Sequence, residues 1–184
     1  MGEWPELRTE RLLLRGWMES DRDGFAALNA DPRVMEFLGE TLTREQSDAM
    51  VDRIEAKFAR DGLGFWAVEV PGVAPFIGMV GLGVPSFEAA FMPAVEVGWR
   101  LDAEHWGHGY ATEAARAALK FGFDTAGLRE IVAFTTERNV RSRRVMERLG
   151  MTRDPRDDFG HPCVPVDNPL HPHVLYRILR SSAP

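Results

Sequence analysis

Cysteine is almost absent from this chain, whose single thiol, Cys163, leaves no possible intrachain disulfide. Such a composition suits a reducing compartment such as the cytoplasm. Long apolar runs are also missing, since none approaches the roughly 18 residues that a membrane-spanning helix requires. The residues from Met1 to Glu6 lack the apolar core of a secretory signal. We therefore expect a cytoplasmic protein that does not enter a membrane.

Basic residues are the scarcer charges, because 22 lysines and arginines stand against 28 aspartates and glutamates, a formal net charge of −6 at pH 7. This balance argues against binding to bare nucleic acid and mildly favours a cationic partner such as an amine. The 184 residues, 45% of them hydrophobic, match one compact domain. With no linker or repeat visible, we expect a single domain over residues 1–184, with its core at about 7–180.

Helix start signals occur at several points along the chain. They are Ser20–Asp21, Asp31–Pro32, the capping box Thr43-Arg44-Glu45-Gln46, and Asn139, which caps a short helix through Leu149. A further helix is predicted from about Ala111 to Asp124. The capping box precedes Met50, Ile54 and Phe58 at four-residue intervals, which predicts one apolar helix face. Gly62 and Gly150 are expected to end their helices.

Strand signals alternate with these helices. The predicted strands are Leu7–Trp17, Phe65–Val70, Phe76–Leu82, Ala94–Leu101, Ile131–Thr135 and Val174–Leu179. A Pro71-Gly72 turn joins the second and third strands, which predicts an antiparallel hairpin. Asp154 to Pro172 is rich in proline and aspartate and is predicted to be loop. The mixture of helices and strands predicts an α+β fold.

One segment, Trp106-Gly107-His108-Gly109-Tyr110-Ala111-Thr112-Glu113-Ala114, carries a chemical signal. Two glycines allow the backbone to turn and to approach a ligand closely. The helix that follows presents free N–H groups and the positive end of its dipole at the same place. Together these features predict an anion site, most naturally for a phosphate or diphosphate. A plain glycine turn into a helix is the alternative.

A dinucleotide-binding loop of the Rossmann type fits this segment poorly. Thr112 stands where the third glycine of that pattern belongs, and Asp102 to His105 separate the loop from the preceding strand. Glu130 lies at about the right distance to contact a ribose, but it precedes the next strand instead of ending it.

Taken in order, several segments resemble the GNAT N-acetyltransferase superfamily, in the branch similar to ribosomal-protein N-terminal acetyltransferases of the RimJ/RimL type. The segments are Thr9-Glu10-Arg11-Leu12-Leu13-Leu14-Arg15, Val95-Glu96-Val97-Gly98-Trp99, Trp106 to Ala114, and Asn139 with Ser142, Leu149 and Gly150. The resemblance covers Leu7 to Leu179. In the superfamily's loop pattern, Gly109 and Ala111 match, whereas Trp106 departs from the usual Arg or Gln.

The resemblance implies a mixed, mostly antiparallel sheet flanked by helices, with a splayed strand pair forming an acyl-CoA cleft. Those strands would be Ala94–Leu101 and Ile131–Thr135. It also implies acetyl-CoA as co-substrate, with no metal. Its cofactor-binding residues would be the strand segment Val97, Gly98 and Trp99, the loop residues Gly107, His108, Gly109, Tyr110, Ala111 and Thr112, and Asn139, Ser142 and Arg143, with Arg144 as a further cation.

The implied reaction is transfer of an acetyl group to a primary amine, which must first lose a proton. Glu96 is the candidate base, although it could instead face solvent or pair with an arginine. Ser142 matches the family's proton donor for the departing thiolate, and Tyr176 is the other candidate acid. The alternative roles are a helix-surface hydroxyl for Ser142 and a core position for Tyr176. A backbone N–H of the Ala94–Leu101 strand would stabilise the charge on the carbonyl oxygen.

The expected partners are acetyl-CoA and an amine acceptor, first a protein or peptide N-terminus and second a small-molecule amine. A non-catalytic acyl-CoA-binding or sensor domain is the alternative from another class. The sequence leaves open whether the protein is a monomer or a homodimer.

Four residues of metal-ligating types lie on a proline-rich segment before the last predicted strand, namely His161, Cys163, His171 and His173. Their spacing could hold zinc. We expect instead a loop that closes over the substrate, because the family branch has a similar approach to its last strand.

Overall fold

The computed structural model describes residues 4–180. The α-helices in this range are α1 (Asp21–Ala30), α2 (Pro32–Met35), α3 (Arg44–Asp61), α4 (Tyr110–Asp124) and α5 (Val140–Arg148). The strands are β1 (Leu7–Arg8), β2 (Leu13–Arg15), β3 (Phe65–Val70), β4 (Ala74–Gly83), β5 (Glu96–Leu101), β6 (Glu130–Thr136), β7 (Thr152–Arg153), β8 (Phe159–Gly160) and β9 (Pro172–Leu179).

None of the helices in residues 4–180 combines the length and the apolar character needed to span a bilayer.

The strands form one sheet in the order β1-β2-β3-β4-β5-β6-β9-β7, with β8 also paired to β9. Adjacent strands are antiparallel except β5 and β6, which run parallel. A parallel pair needs a crossover connection, and α4 supplies it between these two strands.

Helices cover both faces of this sheet. On one face, Ala114, Ala115 and Ala118 of α4 are completely buried against strand residues such as Val80 and Leu82. On the other face, α1 and α3 contribute residues such as Phe25, Val51 and Ile54 to a second apolar cluster that includes Met79 of β4. Small alanine side chains let α4 approach the sheet closely, which places the start of α4 beside the end of β5.

The helix α3 has the predicted start and end. The Gln46 N–H donates to the Thr43 hydroxyl at 3.3 Å, and the Gln46 side chain accepts from the Thr43 N–H at 2.8 Å. These bonds satisfy N–H groups that have no partner within the helix. Gly62 ends the helix at φ 67°, a conformation that favours glycine. Ile54 and Phe58 are buried, as the four-residue spacing predicted.

The other capping predictions have mixed outcomes. The Asp31 carboxylate accepts from the Arg33 N–H at 2.8 Å and caps α2 as expected. At the start of α1, however, the Ser20 side chain makes no capping bond. The neighbouring Asp21 instead accepts from the Met18 N–H at 2.8 Å and ties the preceding turn to the helix.

The predicted first strand, Leu7–Trp17, was wrong in its extent. The chain turns at Thr9–Leu12 and forms the antiparallel hairpin β1–β2. Within that turn, the Leu12 N–H donates to the Thr9 hydroxyl at 2.9 Å. A threonine side chain that replaces a ladder bond in this way favours a turn over a continuous strand.

The predicted loop Asp154–Pro172 was also incomplete. It contains a short 3-10 helix at Pro155–Asp157 and the strand β8, and Pro172 already belongs to β9. The two-residue strand β8 forms because it pairs with β9. The proline and aspartate content of the segment therefore does not predict it.

Candidate active site

The strands β5 and β6 are paired only at one end. The Val132 N–H donates to the Val95 carbonyl oxygen at 2.9 Å, and the register joins Glu96 to Val132. Beyond this point, no further residue pair joins the two strands within the described part of the chain. The edge of β5 that faces β6 therefore runs along an opening, at the strand pair that the family resemblance indicated.

Side chains on β5 alternate between the two faces of the sheet. Val97 and Leu101 are buried in the apolar cluster that contains α4, and Trp99 packs against the same cluster. Because successive residues of a strand point to opposite faces, Glu96 and Arg100 face the side that carries α1 and α3.

The loop between β5 and α4 is shaped by two glycines. Gly107 and Gly109 both have φ 82°, in the left-handed region that side chains disfavour. Gly109 occupies the cap position of α4 and offers no side chain to the first N–H groups of that helix. The Trp106 indole donates to the Leu101 carbonyl oxygen at 2.9 Å, which fixes the loop against the end of β5.

Consecutive backbone N–H groups at the start of α4 have no acceptor within residues 4–180. They belong to Gly107, His108, Gly109, Tyr110, Ala111 and Thr112. The buried hydroxyl of Thr112 also lacks a hydrogen-bond partner in this range. Free N–H groups at the positive end of a helix dipole fit an anion such as a diphosphate.

The same loop is held by contacts from the first hairpin. The Glu113 carboxylate in α4 accepts from the Thr9 hydroxyl at 2.6 Å and from the Arg11 guanidinium at 2.7 Å. Arg11 also donates to the His108 carbonyl oxygen at 3.0 Å and lies over the Tyr110 ring. Partial burial raises the pKa of Glu113, but the hydrogen bonds from Thr9 and Arg11 outweigh it, so the pKa lies below its ordinary value.

Sequence reasoning assigned no role at the site to these hairpin residues. The available signal was Glu113 in the first turn of a helix predicted to bind an anion. A carboxylate at that position needs a counter-charge before a diphosphate can approach. Only the folded chain identifies that counter-charge as Arg11, about a hundred residues earlier in the sequence.

Asn139, Ser142 and Trp99 form a hydrogen-bonded group across the opening. The Asn139 side chain caps α5 by accepting from the Ser142 N–H at 3.1 Å. The Ser142 Oγ accepts from Asn139 Nδ2 at 3.1 Å and from Trp99 Nε1 at 3.3 Å. Both partners are donors only at these atoms, so the Ser142 hydroxyl keeps its own proton for another acceptor.

Tyr176 and Arg143 lie together on the far side of α5. The Tyr176 hydroxyl donates to Glu147 at 3.2 Å and accepts from Arg143 at 3.5 Å. Arg143 also donates to the Glu137 carbonyl oxygen at 3.2 Å. The Tyr176 side chain is buried in the core, whereas Arg144 is exposed.

A cavity of about 1020 Å³ brings part of the predicted site together. The predicted site residues among its lining are Glu96, Val97, Gly98, Trp99, Asn139 and Ser142. Tyr176, Arg143 and the glycine loop are not part of this lining. The glycine loop nevertheless adjoins α5, because the guanidinium of Arg141, at the start of α5, stacks on the Trp106 ring at 4.3 Å.

Glu96 faces this cavity at the point where β5 and β6 part. Loss of solvent raises the pKa of Glu96 to about 7, against the opposing effect of the positive charge of Lys57. A carboxylate with this pKa can accept a proton at neutral pH and is a suitable general base. Sequence reasoning left open a pairing with an arginine, and none lies within ion-pair distance of Glu96 in residues 4–180.

Two of the histidines in and before β9 pack among aromatic side chains. The rings of His161 and His173 lie 4.8 Å apart and pack near Phe134 and Phe159. Burial lowers the pKa of His173 to about 4. His171 instead bonds to the Val164 carbonyl oxygen at 2.8 Å. Within residues 4–180, no cluster of three or more His, Cys, Asp or Glu side chains is arranged to hold a metal ion.

This chain belongs to the GNAT acetyltransferase family: the model of the acetyltransferase (GNAT) domain matches residues 11–152. It is similar to YnaD of Bacillus subtilis (strain 168), described as an uncharacterized N-acetyltransferase, with 29% identity over 94% of this chain and 96% of that protein. It is also 30% identical to the FsC-acetyl coenzyme A-N(2)-transacetylase of Aspergillus fumigatus, over 80% of this chain and 65% of that protein.

A solved structure has the same architecture. The crystal structure of a GNAT-family acetyltransferase from Bacillus anthracis superposes with a TM-score of 0.78, at 28% identity, covering 96% of this chain and 99% of the other. The fold expected from the resemblance is therefore confirmed, namely a mixed, mostly antiparallel sheet flanked by helices. The chain is an acetyltransferase enzyme, and membership of this family implies acetyl-CoA as its co-substrate.

Proposed function

We propose that the protein transfers an acetyl group from acetyl-CoA to a primary amine that enters the cavity on the side of Glu96. The observation that supports this most strongly is the position of Glu96. It lies where β5 and β6 part, in the same cavity as Trp99, Asn139 and Ser142. A base, an exposed strand edge and a hydroxyl proton donor thus meet in one cavity.

The co-substrate site would have two parts. The N–H groups from Gly107 to Thr112 would hold the diphosphate, which is supported by their lack of acceptors within residues 4–180. The opening beside Val97, Gly98 and Trp99 would hold the pantetheine arm, with Asn139 and Ser142 on its other side. Arg143 or Arg144 would serve the ribose phosphate. When bound, acetyl-CoA supplies a thioester, which is already activated for acyl transfer.

Glu96 would remove the proton that keeps an amine from reacting. A protonated amine has no lone pair, so the neutral form must be generated in the cavity. With a pKa of about 7, Glu96 is close to an α-amine, whose ordinary pKa is about 7.7–8.0, and far from a lysine side chain at about 10.4. This match favours an α-amine as the acceptor.

Ser142 is the better candidate for the proton donor. Its hydroxyl accepts two hydrogen bonds, lines the cavity and retains its own proton. The Tyr176 hydroxyl donates a hydrogen bond to Glu147, and Tyr176 is not among the residues that line the cavity. We assign proton delivery to Ser142 and a structural role to Tyr176.

The acceptor is proposed first to be a peptide or protein N-terminus, in keeping with the RimJ/RimL resemblance, and second a small molecule. The experiment is to follow thiol release from acetyl-CoA with peptides and small amines, using wild-type protein and Glu96→Gln. Turnover with at least one amine, reduced by the substitution, supports the proposal. If acetyl-CoA binds but no amine elicits thiol release, the proposed function is wrong.

A further inference from the structure

The guanidinium of Arg100 is a charge without an opposite charge. Arg100 is partly buried on β5, lines the cavity, and its Nε is buried with no hydrogen-bond partner in residues 4–180. Its Nη1 donates at 2.5 Å to Asn29, a neutral amide. No carboxylate of the described chain lies within 4.0 Å of it, whereas many of the other arginines form ion pairs, such as Arg15 with Asp21 at 2.8 Å.

Neighbouring groups hold Arg100 in this position. The completely buried Asn29 of α1 donates its Nδ2 to the hydroxyl of Ser47 in α3 at 2.9 Å, which turns its oxygen toward Arg100. Gly98, the residue between Arg100 and Glu96 on this face, has no side chain, and a Cβ there would lie 3.0 Å from the Phe65 ring. The guanidinium is therefore placed precisely without being neutralised.

Such an arrangement is costly in the protein alone. A cation that is partly withdrawn from water and meets only a neutral amide loses hydration that the amide does not fully replace. The same burial lowers the pKa of Arg100 to about 10. Because the partly desolvated Arg100 guanidinium lies on a cavity wall, it is suited to bind a ligand that carries the missing negative charge.

Two further cations line the same cavity from α3. Arg53 and Lys57 are one helical turn apart, and neither forms an ion pair within residues 4–180. The carboxylates that line the cavity do not neutralise these cations. Asp61 is paired with Arg60 at 2.6 Å, Glu40 is exposed, and Glu96 is the proposed base. A protein of net charge −6 thus presents unpaired cations at its acceptor cavity.

We infer that the acceptor amine carries a second, anionic group, a carboxylate or a phosphate, which Arg100 binds with help from Arg53 and Lys57. This inference rests on the proposed function. The co-substrate does not supply the anion, because Arg100 faces α1 and α3, whereas the free N–H groups proposed for the diphosphate are at the start of α4, on the opposite face.

The strand geometry also sets the spacing of the two groups. Glu96 and Arg100 are four residues apart on one strand, which separates their Cα atoms by about 13 Å. An amine at Glu96 and an anion at Arg100 are therefore several bonds apart. We expect a free α-amino acid, with its carboxylate one carbon from the amine, to bridge this spacing less well than a longer acceptor. A dipeptide carboxylate, or an acidic side chain next to a peptide N-terminus, is long enough.

The test is a series of acceptor amines of increasing length, each compared with a matched uncharged analogue. Glycine, glycylglycine and triglycine are compared with their C-terminal amides, which differ only in the negative charge, and O-phosphoethanolamine is compared with ethanolamine. At saturating acetyl-CoA, we expect kcat/KM for one longer acid to exceed that of its amide roughly tenfold to a hundredfold, the range of a charged hydrogen bond. A preference for the phosphate instead identifies phosphate as the anion.

Substitutions then assign the preference to Arg100. Arg100→Gln should abolish the advantage of the acid, and Arg100→Lys should retain part of it. Arg129→Gln, which removes a positive charge from an exposed loop outside the cavity, is the matched control and should change nothing. If Arg100→Gln does not fold, the double variant Arg53→Gln/Lys57→Gln on the surface of α3 should reduce the same advantage.

Binding measured by calorimetry separates this inference from the proposed function. Tighter binding of glycylglycine than of its amide, lost in the variants, supports the anion site even without turnover. Equal binding and equal kcat/KM of acid and amide at every length, with no preference for the phosphate, overturn the inference. If the amides and the acids are acetylated at the same rate, the acetyltransferase proposal stays intact, whereas absence of turnover with every amine contradicts the proposed function itself.

Discussion

Arg11 in the first hairpin and Glu113 in the first turn of α4 are joined by a close ion pair, with Arg11 Nη2 2.6 Å from Glu113 Oε2. The backbone N–H of Arg11 also donates to Glu113 at 2.9 Å. A carboxylate at a helix N-terminus stabilises the helix, but it repels an anion that approaches the same N–H groups. We propose that the ion pair lets the start of α4 keep its acidic residue and still accept a diphosphate.

We predict that Arg11→Ala weakens acetyl-CoA binding roughly tenfold, because Glu113 is then left unneutralised beside the proposed diphosphate site. Isothermal titration calorimetry of acetyl-CoA measures this change. The KM for the amine should stay the same, since the cavity is unaffected.

The double variant Arg11→Ala/Glu113→Gln distinguishes two explanations. If neutralisation is the role of Arg11, removal of the carboxylate charge should restore most of the affinity. Binding that stays weak in the double variant would contradict this explanation and indicate direct contact between Arg11 and the phosphates.

A second prediction concerns Gly109, whose φ of 82° no alanine adopts without strain. Gly109→Ala should lower the thermal stability and also weaken acetyl-CoA binding, because the new Cβ lies at the start of the N–H array. Gly127→Ala is a matched control at φ 70°, in a loop that precedes β6. It should lose stability of about 1–2 kcal/mol, the usual cost of this conformation, with acetyl-CoA binding unchanged. Equal loss of affinity in both variants would refute a specific role of Gly109.

The pH dependence tests Glu96. Since the pKa of Glu96 is about 7, kcat/KM for the amine should fall as the pH drops below 7 and the base becomes protonated. In Glu96→Gln this limb should disappear, and the remaining activity should follow the ionisation of the amine alone. A wild-type profile that is identical to that of Glu96→Gln would exclude Glu96 as the base.

Glu96 also makes stability depend on pH. Its pKa is higher in the folded chain, about 7, than the ordinary value near 4.3, so the folded state binds more protons between these values. Wild-type stability should therefore decrease relative to Glu96→Gln as the pH rises from 4.5 to 7, and the difference should level off above 7. Thermal melts of both proteins across this range measure it. A constant difference would show that Glu96 is not desolvated.

The proton donor can be tested by comparing two hydroxyls. Ser142→Ala should reduce kcat about a hundredfold, within the usual range for a general acid, and leave acetyl-CoA affinity similar. Tyr176→Phe should leave kcat unchanged and cost about 1 kcal/mol of stability through its lost hydrogen bonds. Steady-state kinetics and thermal melts of the two variants provide both readouts. The reverse pattern would assign proton delivery to Tyr176.

Local patterns predicted most of the elements. The capping box at Thr43, the Asp31 cap and the Asn139 cap all form, because each bond joins residues two or three positions apart. The hairpin of Phe65–Val70 with the following strand also forms as expected. Two errors were local, because Asp21 takes the bond expected near Ser20 and the Thr9 hydroxyl closes a turn inside the predicted first strand. The missed strand β8 depends instead on a distant partner, β9.

The candidate site was predictable to a similar degree. Glycine spacing indicated the anion loop, the place of Glu96 on the predicted cofactor strand made it the candidate base, and family resemblance indicated Ser142. Neither could show that Arg11 neutralises Glu113, or that Arg100 meets an uncharged amide and no carboxylate. Such pairings join segments far apart in the chain, and single-sequence patterns carry no information about them.

By itself, the sequence determined where most helices begin, where the glycine loop lies and where most of the strands lie. These features depend on bonds and periodicities within a few residues. Only the tertiary structure decided how far β5 and β6 separate, which groups share the cavity and which charges stay unpaired. Burial and electrostatic pairing depend on distance in space. Packing alone partly withdraws Glu96 from water and leaves Arg100 without a counter-charge.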